Sequence, residues 1–429
     1  MAFAYLWIFA GLLILGMPIV FLMLIAPGIS LVIEGKAMFL DLLFQRLFAG
    51  IDSFPLMALP FFILAGELMT AGGVTSRIVH FAQTLIGHRR AGLGQVSVSS
   101  SLMLAGGSGS AVADASALGS VMIPAMKDAG YTNRFSAAVT AASAVIASII
   151  PPSGIFILYA FIMNVSVAGM FAGGIVPGIL IGIGLMITIS FMTRFKEFPE
   201  PLPKANLREK WKAFVSAFMP LLTPVILIGG IVGGIFTPTE GAAIAAFYAL
   251  ILGLFVTRDL SIKDLPAIFG KAALSSAVVL LLVGAAVAFA SLVSLKGTPQ
   301  LVSGFILGIT DDPALLFFLV VIFLLGVGTI MDAGPAILIL GPILSPVMIG
   351  VGVDPIHFAV VMSVTLIMGL ITPPMGLVLF VVGSISKEKI EKIAWEMLPL
   401  FLVEIGILFA LVYVPDLILA IPRALGYVA

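Results

Sequence analysis

Cysteine is absent from the 429 residues, and only 10% of them are charged. The first absence removes disulfides, thiolate nucleophiles and cysteine metal sites. The second removes the charged surface that a soluble chain of this length needs. The 21 basic and 21 acidic residues cancel, so no bulk charge draws the chain to nucleic acid. Only three histidines occur, His80, His88 and His357. With no HExxH-type or nucleophile–base grouping, an intramembrane enzyme lacks its chemistry. There is no P-loop, and the start, Met1-Ala2-Phe3, has no basic n-region, so a cleaved signal peptide is not expected.

What fills the chain is apolar, 61% of all residues. Apolar runs recur at Phe3–Ile25, Phe54–Met69, Ala168–Met192, Pro220–Ile235, Ala242–Val256, Ala272–Val293, Ala314–Leu325, Phe358–Ile371 and Leu398–Val414. About 20 helical residues cross a bilayer core, so several runs can span and a few are short for it. The fold expected is an all-α polytopic membrane protein. Its longest polar stretch, Arg194–Lys212, reads as a linker with prolines at 199, 201 and 203.

Basic residues mark cytoplasmic loops. Seventeen of the 21 fall in five clusters: Arg77/Arg89/Arg90, Lys127/Arg134, six within Arg194–Lys212, Arg258/Lys263/Lys271, and Lys387/Lys389/Lys392. Gly92–Met126 lies between two of these clusters, so both its ends are expected in the cytoplasm. It is too short for two spans and a turn. Its middle, Ala105-Gly106-Gly107-Ser108-Gly109-Ser110-Ala111, breaks a helix. A re-entrant hairpin follows, with irregular backbone at a depth tolerated only inside protein or along a wet cavity. A second hairpin is expected over Ala314–Ile349, broken at Gly326-Val327-Gly328-Thr329. Asp311/Asp312 and Asp354 flank it, so it opens to the outside.

The halves are weakly alike. Gly130–Gly154 aligns without gaps on Gly352–Gly376 at seven identities in 25, with Pro151-Pro152 against Pro373-Pro374. Upstream, Asp114 and Pro124 match Asp332 and Pro342, with four extra residues before the second glycine. Each unit is then a re-entrant hairpin followed by a Pro-Pro-interrupted helix, and the two form an inverted repeat. Paired prolines unwind a helix and free carbonyl oxygens. Free carbonyls suit sodium and half-helix N-termini suit carboxylates, as at the midplane sites of secondary transporters. The bland alternative is a structural kink, and its duplication downstream of a Gly/Ser break argues against it.

Phe61-Phe62-Ile63-Leu64-Ala65-Gly66-Glu67-Leu68-Met69, Ser108-Gly109-Ser110-Ala111-Val112-Ala113-Asp114, Ile150-Pro151-Pro152-Ser153, Phe236-Thr237-Pro238-Thr239-Glu240 and Leu370-Ile371-Thr372-Pro373-Pro374 resemble the large membrane subunit of TRAP (tripartite ATP-independent periplasmic) transporters. The likeness runs from about Gly16 to Val414-Pro415-Asp416. It implies a sodium-coupled secondary importer of elevator type in the bacterial inner (cytoplasmic) membrane. It also implies a small four-helix membrane subunit, a periplasmic substrate-binding protein, and organic acids such as C4-dicarboxylates or sialic acid as substrates.

Carried over, the resemblance implies about two Na+ sites. One lies between Gly107, Ser108, Gly109 and Ser110 and the segment Ile150, Pro151 and Ser153. Its counterpart lies between Gly326, Gly328 and Thr329 and the segment Ile371, Thr372 and Met375. The solute is expected between the two, near Ser108, Ser153 and Thr372, with no arginine clamp. Asp114 and Asp332 are intramembrane carboxylates that either tune the sodium sites or cap the second half-helix of each hairpin; capping is the preferred role. Glu67 and Glu240 are expected to be structural.

The expected domains are N-terminal scaffold helices in 1–75, transport unit 1 in 92–162, scaffold helices in 168–256 with the cytoplasmic linker 194–212, connecting helices in 272–313, transport unit 2 in 314–384, and a C-terminal helix in 396–420. Moving one charge through 100 mV yields about 2.3 kcal/mol, so two sodium ions against one monoanion drive uptake without ATP. The rivals are a self-sufficient sodium/dicarboxylate symporter or antiporter of similar architecture and a passive channel.

Overall fold

The computed structural model describes residues 4–105, 109–308, 310 and 312–428. Among these there are helices and no strands. The first apolar run forms two helices rather than one, α1 (Ala4–Ile14) and α2 (Ile19–Ile33), because Gly16 turns with φ +78° and Pro18 precedes α2. Then come α3 (Leu40–Ile51), α4 (Ala58–Ala71) and α5 (Val74–Ile86). Next are the pair α6 (Gly92–Leu104) and α7 (Ala111–Asp128), and the interrupted pair α8 (Asn133–Ile149) and α9 (Gly154–Met163). The middle holds α10 (Val167–Met192), α11 (Leu207–Val232), α12 (Pro238–Ile251) and α13 (Leu265–Leu295). A short α14 (Thr298–Leu307) leads to a second pair, α15 (Pro313–Gly328) and α16 (Ala333–Gly350), and a second interrupted pair, α17 (Pro355–Gly369) and α18 (Leu377–Ser386). Helices α19 (Ile390–Tyr413) and α20 (Asp416–Ala424) follow. Seven segments are long and apolar enough to span a membrane, and α8 with α9, bent by 42°, makes an eighth among the described residues.

Three boundaries differ from expectation. The second part of the 194–212 linker is helical, because Asn206 and Glu209 form a reciprocal capping box that starts α11. The C-terminal helix expected over 396–420 begins earlier and breaks at Val414-Pro415 between α19 and α20. The second hairpin does not break at Gly326-Val327-Gly328: α15 runs through Gly328, and the turn occupies Thr329 to Asp332. Two glycines cost a helix only about 1 kcal/mol each, which packing readily offsets.

The five basic clusters meet at one end of the molecule. Arg77 pairs with Asp259 beside Arg258, and Leu202 N–H donates to Gly87 O at 3.3 Å. Pro199 lies against Gly130, Arg134 is 3.8 Å from Glu388, and Lys196 is 2.6 Å from Glu396. Lys271 reaches Glu67 of α4 at 2.8 Å, giving that glutamate a partner its sequence context did not reveal.

Both ends of the α6–α7 pair and the start of α8 therefore lie at the basic end. The start of α17 lies at the other end, where Ile356 packs on Gly169 at the start of α10 and His357 Nε2 is 2.8 Å from Leu411 O. Phe317 of α15 stacks edge-on against His357, and α16 ends five residues before α17 begins, so both ends of the α15–α16 pair lie there too. The two units enter the molecule from opposite ends.

Candidate functional site

Each interrupted helix breaks at its proline pair. α8 runs about 25 Å from the basic end before Ile150, and α17 about 22 Å from the opposite end before Leu370. Both Pro-Pro bonds are cis. The second break, up to Gly376, is longer than the first, Ile150 to Ser153.

The turn of each hairpin seats on the break of its own unit. Gly109 has φ +63°, and a Cβ there would lie 2.9 Å from Pro152 O and 3.0 Å from Gly154 N. In the second unit Met375 N–H donates to Thr329 O at 3.3 Å. Gly328 abuts Gly369, where a Cβ would lie 2.4 Å from the Gly328 backbone. At the first junction the residues leading into α7 thus meet the N-terminus of α9 beside the end of α8, and at the second the carbonyl ends of α15 and α17 meet. N-termini attract anions and carbonyl ends attract cations.

The structure brings together Gly109, Ile150, Pro151 and Ser153, and separately Gly328, Thr329, Ile371, Thr372 and Met375. Gly107 and Ser108 lie outside the described residues. Ser110 is the N-cap of α7, its hydroxyl accepting from Ala113 N–H at 3.5 Å. Ser153 is buried, and its hydroxyl caps α9 by accepting from Phe156 N–H at 3.4 Å. The Thr372 hydroxyl donates to Met368 O at 2.9 Å and the Thr329 hydroxyl to Gly326 O at 2.8 Å. Gly326 itself is helical, with its carbonyl committed to that turn.

The expected equivalence of Asp114 and Asp332 does not hold. Asp332 is the N-cap of α16, accepting from Ala333 N–H at 2.7 Å. Asp114 lies in the first turn of α7, after the cap Ser110. The helix starts align Ser110 with Asp332 and need no four-residue insertion. On that register Gly119 meets Gly341 and Pro124 meets Pro346. Two prolines in α16, Pro342 and Pro346, made the gapped alignment attractive.

The units also interlock. α9 packs on α16, where Tyr159 Oη donates to Ser345 Oγ at 3.1 Å, and α18 packs on α7 and α8. Asn133 at the start of α8 donates to Ser386 O at 3.2 Å. One buried carboxyl went unnoticed in the sequence: Glu404, fully buried in α19. The signal was there, since it is the single acidic or basic residue in the run Leu398–Val414.

A duplicated set of interrupted helices inside a multi-pass bundle defines a transporter-type membrane protein. The family model of the tripartite ATP-independent periplasmic transporter, DctM component, matches residues 6–417, and the chain belongs to that family. It is 40% identical over 419 residues to the sialic acid TRAP transporter large permease protein SiaM of Vibrio cholerae serotype O1, covering 97% of each chain. It is 37% identical over 402 residues to the C4-dicarboxylate TRAP transporter large permease protein DctM of Rhodobacter capsulatus, covering 90% of this chain and 91% of that one. In fold it is similar to the YdaH transporter of Alcanivorax borkumensis, with a TM-score of 0.60 at 16% identity over 87% of this chain and 88% of that one. The chain is thus a multi-pass bacterial inner-membrane protein and a transporter permease, not an enzyme.

Proposed function

We propose that the chain carries the transport sites of a sodium-driven importer of small organic acids. In this account a periplasmic binding protein delivers the solute and a small four-helix subunit completes the membrane part. The pairs α6–α7 and α15–α16 act as re-entrant hairpins open to opposite sides. Residues 92–162 and 314–384 move together as an elevator against the scaffold of 1–75, 168–256 and the C-terminal helices, with 272–313 as connections.

The observation that carries this is the seating of each hairpin turn on a Pro-Pro break, Gly109 against Pro152 and Thr329 bonded to Met375. Sodium sits at each junction, held mostly by backbone carbonyls around Gly107–Ser110 with Ile150–Ser153, and around Gly328 and Thr329 with Ile371–Met375. The solute carboxylate lies between the junctions, facing helix N-termini, with Ser108, Ser153 and Thr372 nearest. Interlocking of α9 with α16 and of α18 with α7 and α8 supports movement as one body. The substrates in the names of the two relatives, sialic acid and C4-dicarboxylate, are both carboxylates and support the solute class.

The test is uptake by vesicles containing the chain and its two partners, with a sialic acid and a C4-dicarboxylate as probes. Uptake of one probe that needs both an inward sodium gradient and the binding protein is expected. Sodium-independent flux, or full uptake by the chain alone, would overturn the proposal.

A further inference from the structure

α19 buries one stripe along its length: Ile393, Met397, Leu400, Glu404, Leu408 and Leu411. Five of these side chains are apolar and the sixth is a carboxylic acid. Glu404 has no accessible surface, and neither of its carboxyl oxygens has a hydrogen-bond partner among the described residues. Helix α19 packs chiefly on α8 and α10, and also on α15, α17 and α18. Gly184 of α10 faces Val403 and Ile407, the residues around Glu404. At the basic end Phe135 of α8, Lys196 and Glu396 line one groove. Glu404 stands eight residues beyond Glu396, about 12 Å deeper, roughly halfway to the break at Ile150.

Among the described residues no counter-charge comes near it at that depth. Within their helical spans α10, α15 and α18 have no titratable side chain. α8 has Arg134 alone, in its first turn, 3.8 Å from Glu388. α17 has His357 alone, bonded to Leu411 O almost two turns above Glu404. On α19 itself Glu391, Lys392 and Glu396 stand at the start and Tyr413 at the end, with Glu396 held by Lys196 at 2.6 Å. A carboxyl buried with no hydrogen-bond partner among the described residues costs less free energy as the neutral acid than as the carboxylate.

On the moving-unit reading, α8 travels and α19 stays, so the cover over Glu404 changes with conformation. Resting on that reading, we propose that Glu404 is a proton-binding site at the sliding surface between α8 and α19, separate from the sodium junctions. Its O–H bond forms as the carboxylate takes a proton from hydronium in the water on the basic side and α8 closes over it. It breaks as α8 withdraws, the proton passing to water on the basic side. Proton binding then favours the conformation described above, and release favours the other.

Two measurements on the full chain in lipid vesicles test this. The infrared spectrum of the native protein is expected to carry a protonated-carboxyl C=O band that Glu404→Gln removes; its absence from the difference spectrum at every pH would refute the site. Lack of native cysteine permits the second. Leu400→Cys lies one turn from Glu404 on the buried stripe, whereas Trp395→Cys is a reference position 76% exposed on the same helix. The ratio of their reaction rates with an impermeant maleimide cancels the pH dependence of the thiol. That ratio is expected to rise with pH, by no more than about tenfold per unit for one proton, and to be flat with Glu404→Gln. The same slope in both chains would overturn the coupling. A Leu400→Cys that reacts in neither chain, with the infrared band present, would mean that α8 never leaves α19; the moving-unit reading then fails, and the conformational half of this proposal with it.

Discussion

Ser110 and Asp332 occupy the same place in the two halves of the chain, each as the N-cap of an 18-residue helix, 222 residues apart (332 less 110). The same offset joins the starts of α8 and α17 at Asn133 and Pro355, and the pairs Pro151-Pro152 and Pro373-Pro374. One offset from cap to break means that the duplicated unit has kept its spacing, while its chemistry at the cap has changed from hydroxyl to carboxylate.

That difference separates capping from charge. Asp332→Asn keeps a capping oxygen, so the melting temperature is expected to stay near that of the wild type. Asp332→Ala is expected to lose about 1 kcal/mol, seen as a lower denaturation midpoint. Sodium activation that weakens in Asp332→Asn would show that the charge also tunes the nearby cation.

The glycines of the junctions predict a contrast. Gly109→Ala must place a Cβ 2.9 Å from Pro152 O at a positive φ, and Gly369→Ala one 2.4 Å from Gly328. Each is expected to cost about 1–3 kcal/mol and to cut sodium-dependent uptake. Gly326→Ala meets nothing within 4 Å and sits inside a helix, so it is expected to be neutral or stabilising by up to about 1 kcal/mol. Equal losses in all three would contradict the close packing of turn on break.

Tyr159→Phe removes the bond from α9 to Ser345 of α16. A loss of about 1 kcal/mol is expected, read as a thermal shift. If the two units move as one body, the transport rate falls without a change in sodium affinity.

Glu34 and Lys296 join the ends of α2 and α13. The hydrogen bond from the Lys296 ammonium, with a weaker one from Ser30, holds the Glu34 carboxyl below the usual carboxylate range. A depressed folded value stabilises above the unfolded value and is lost as pH falls through the folded one. Acidification to below about pH 4 is therefore expected to lower the wild-type melting temperature more than that of a Glu34→Gln/Lys296→Met variant. Parallel curves would count against the pair.

Much of this architecture is written in local chemistry. The Pro151-Pro152 and Pro373-Pro374 breaks read directly, because proline cannot continue a helix. The opposed entry of the units was legible from where Arg77, Lys127, Lys196, Arg258 and Lys387 fall. The rest depended on contacts across the fold. Gly326 and Gly328 look like a helix break, yet α15 runs through both, with Gly328 packed on Gly369. The equivalence of Ser110 with Asp332 was hidden because Pro342 mimicked the match that belongs to Pro346. Lys271 and Lys296, which bond Glu67 and Glu34, lie more than 200 residues away from them, beyond the reach of any local pattern.

Sodium at the two junctions is the central claim, and the melting temperature of the purified full chain tests it without a solute. Ligand that binds only the folded state raises stability by RT ln(1 + [L]/Kd). The chain is expected to melt higher in sodium chloride than in potassium chloride of equal ionic strength, with the gain reduced in Thr372→Ala. Identical melting in the two salts would contradict the account.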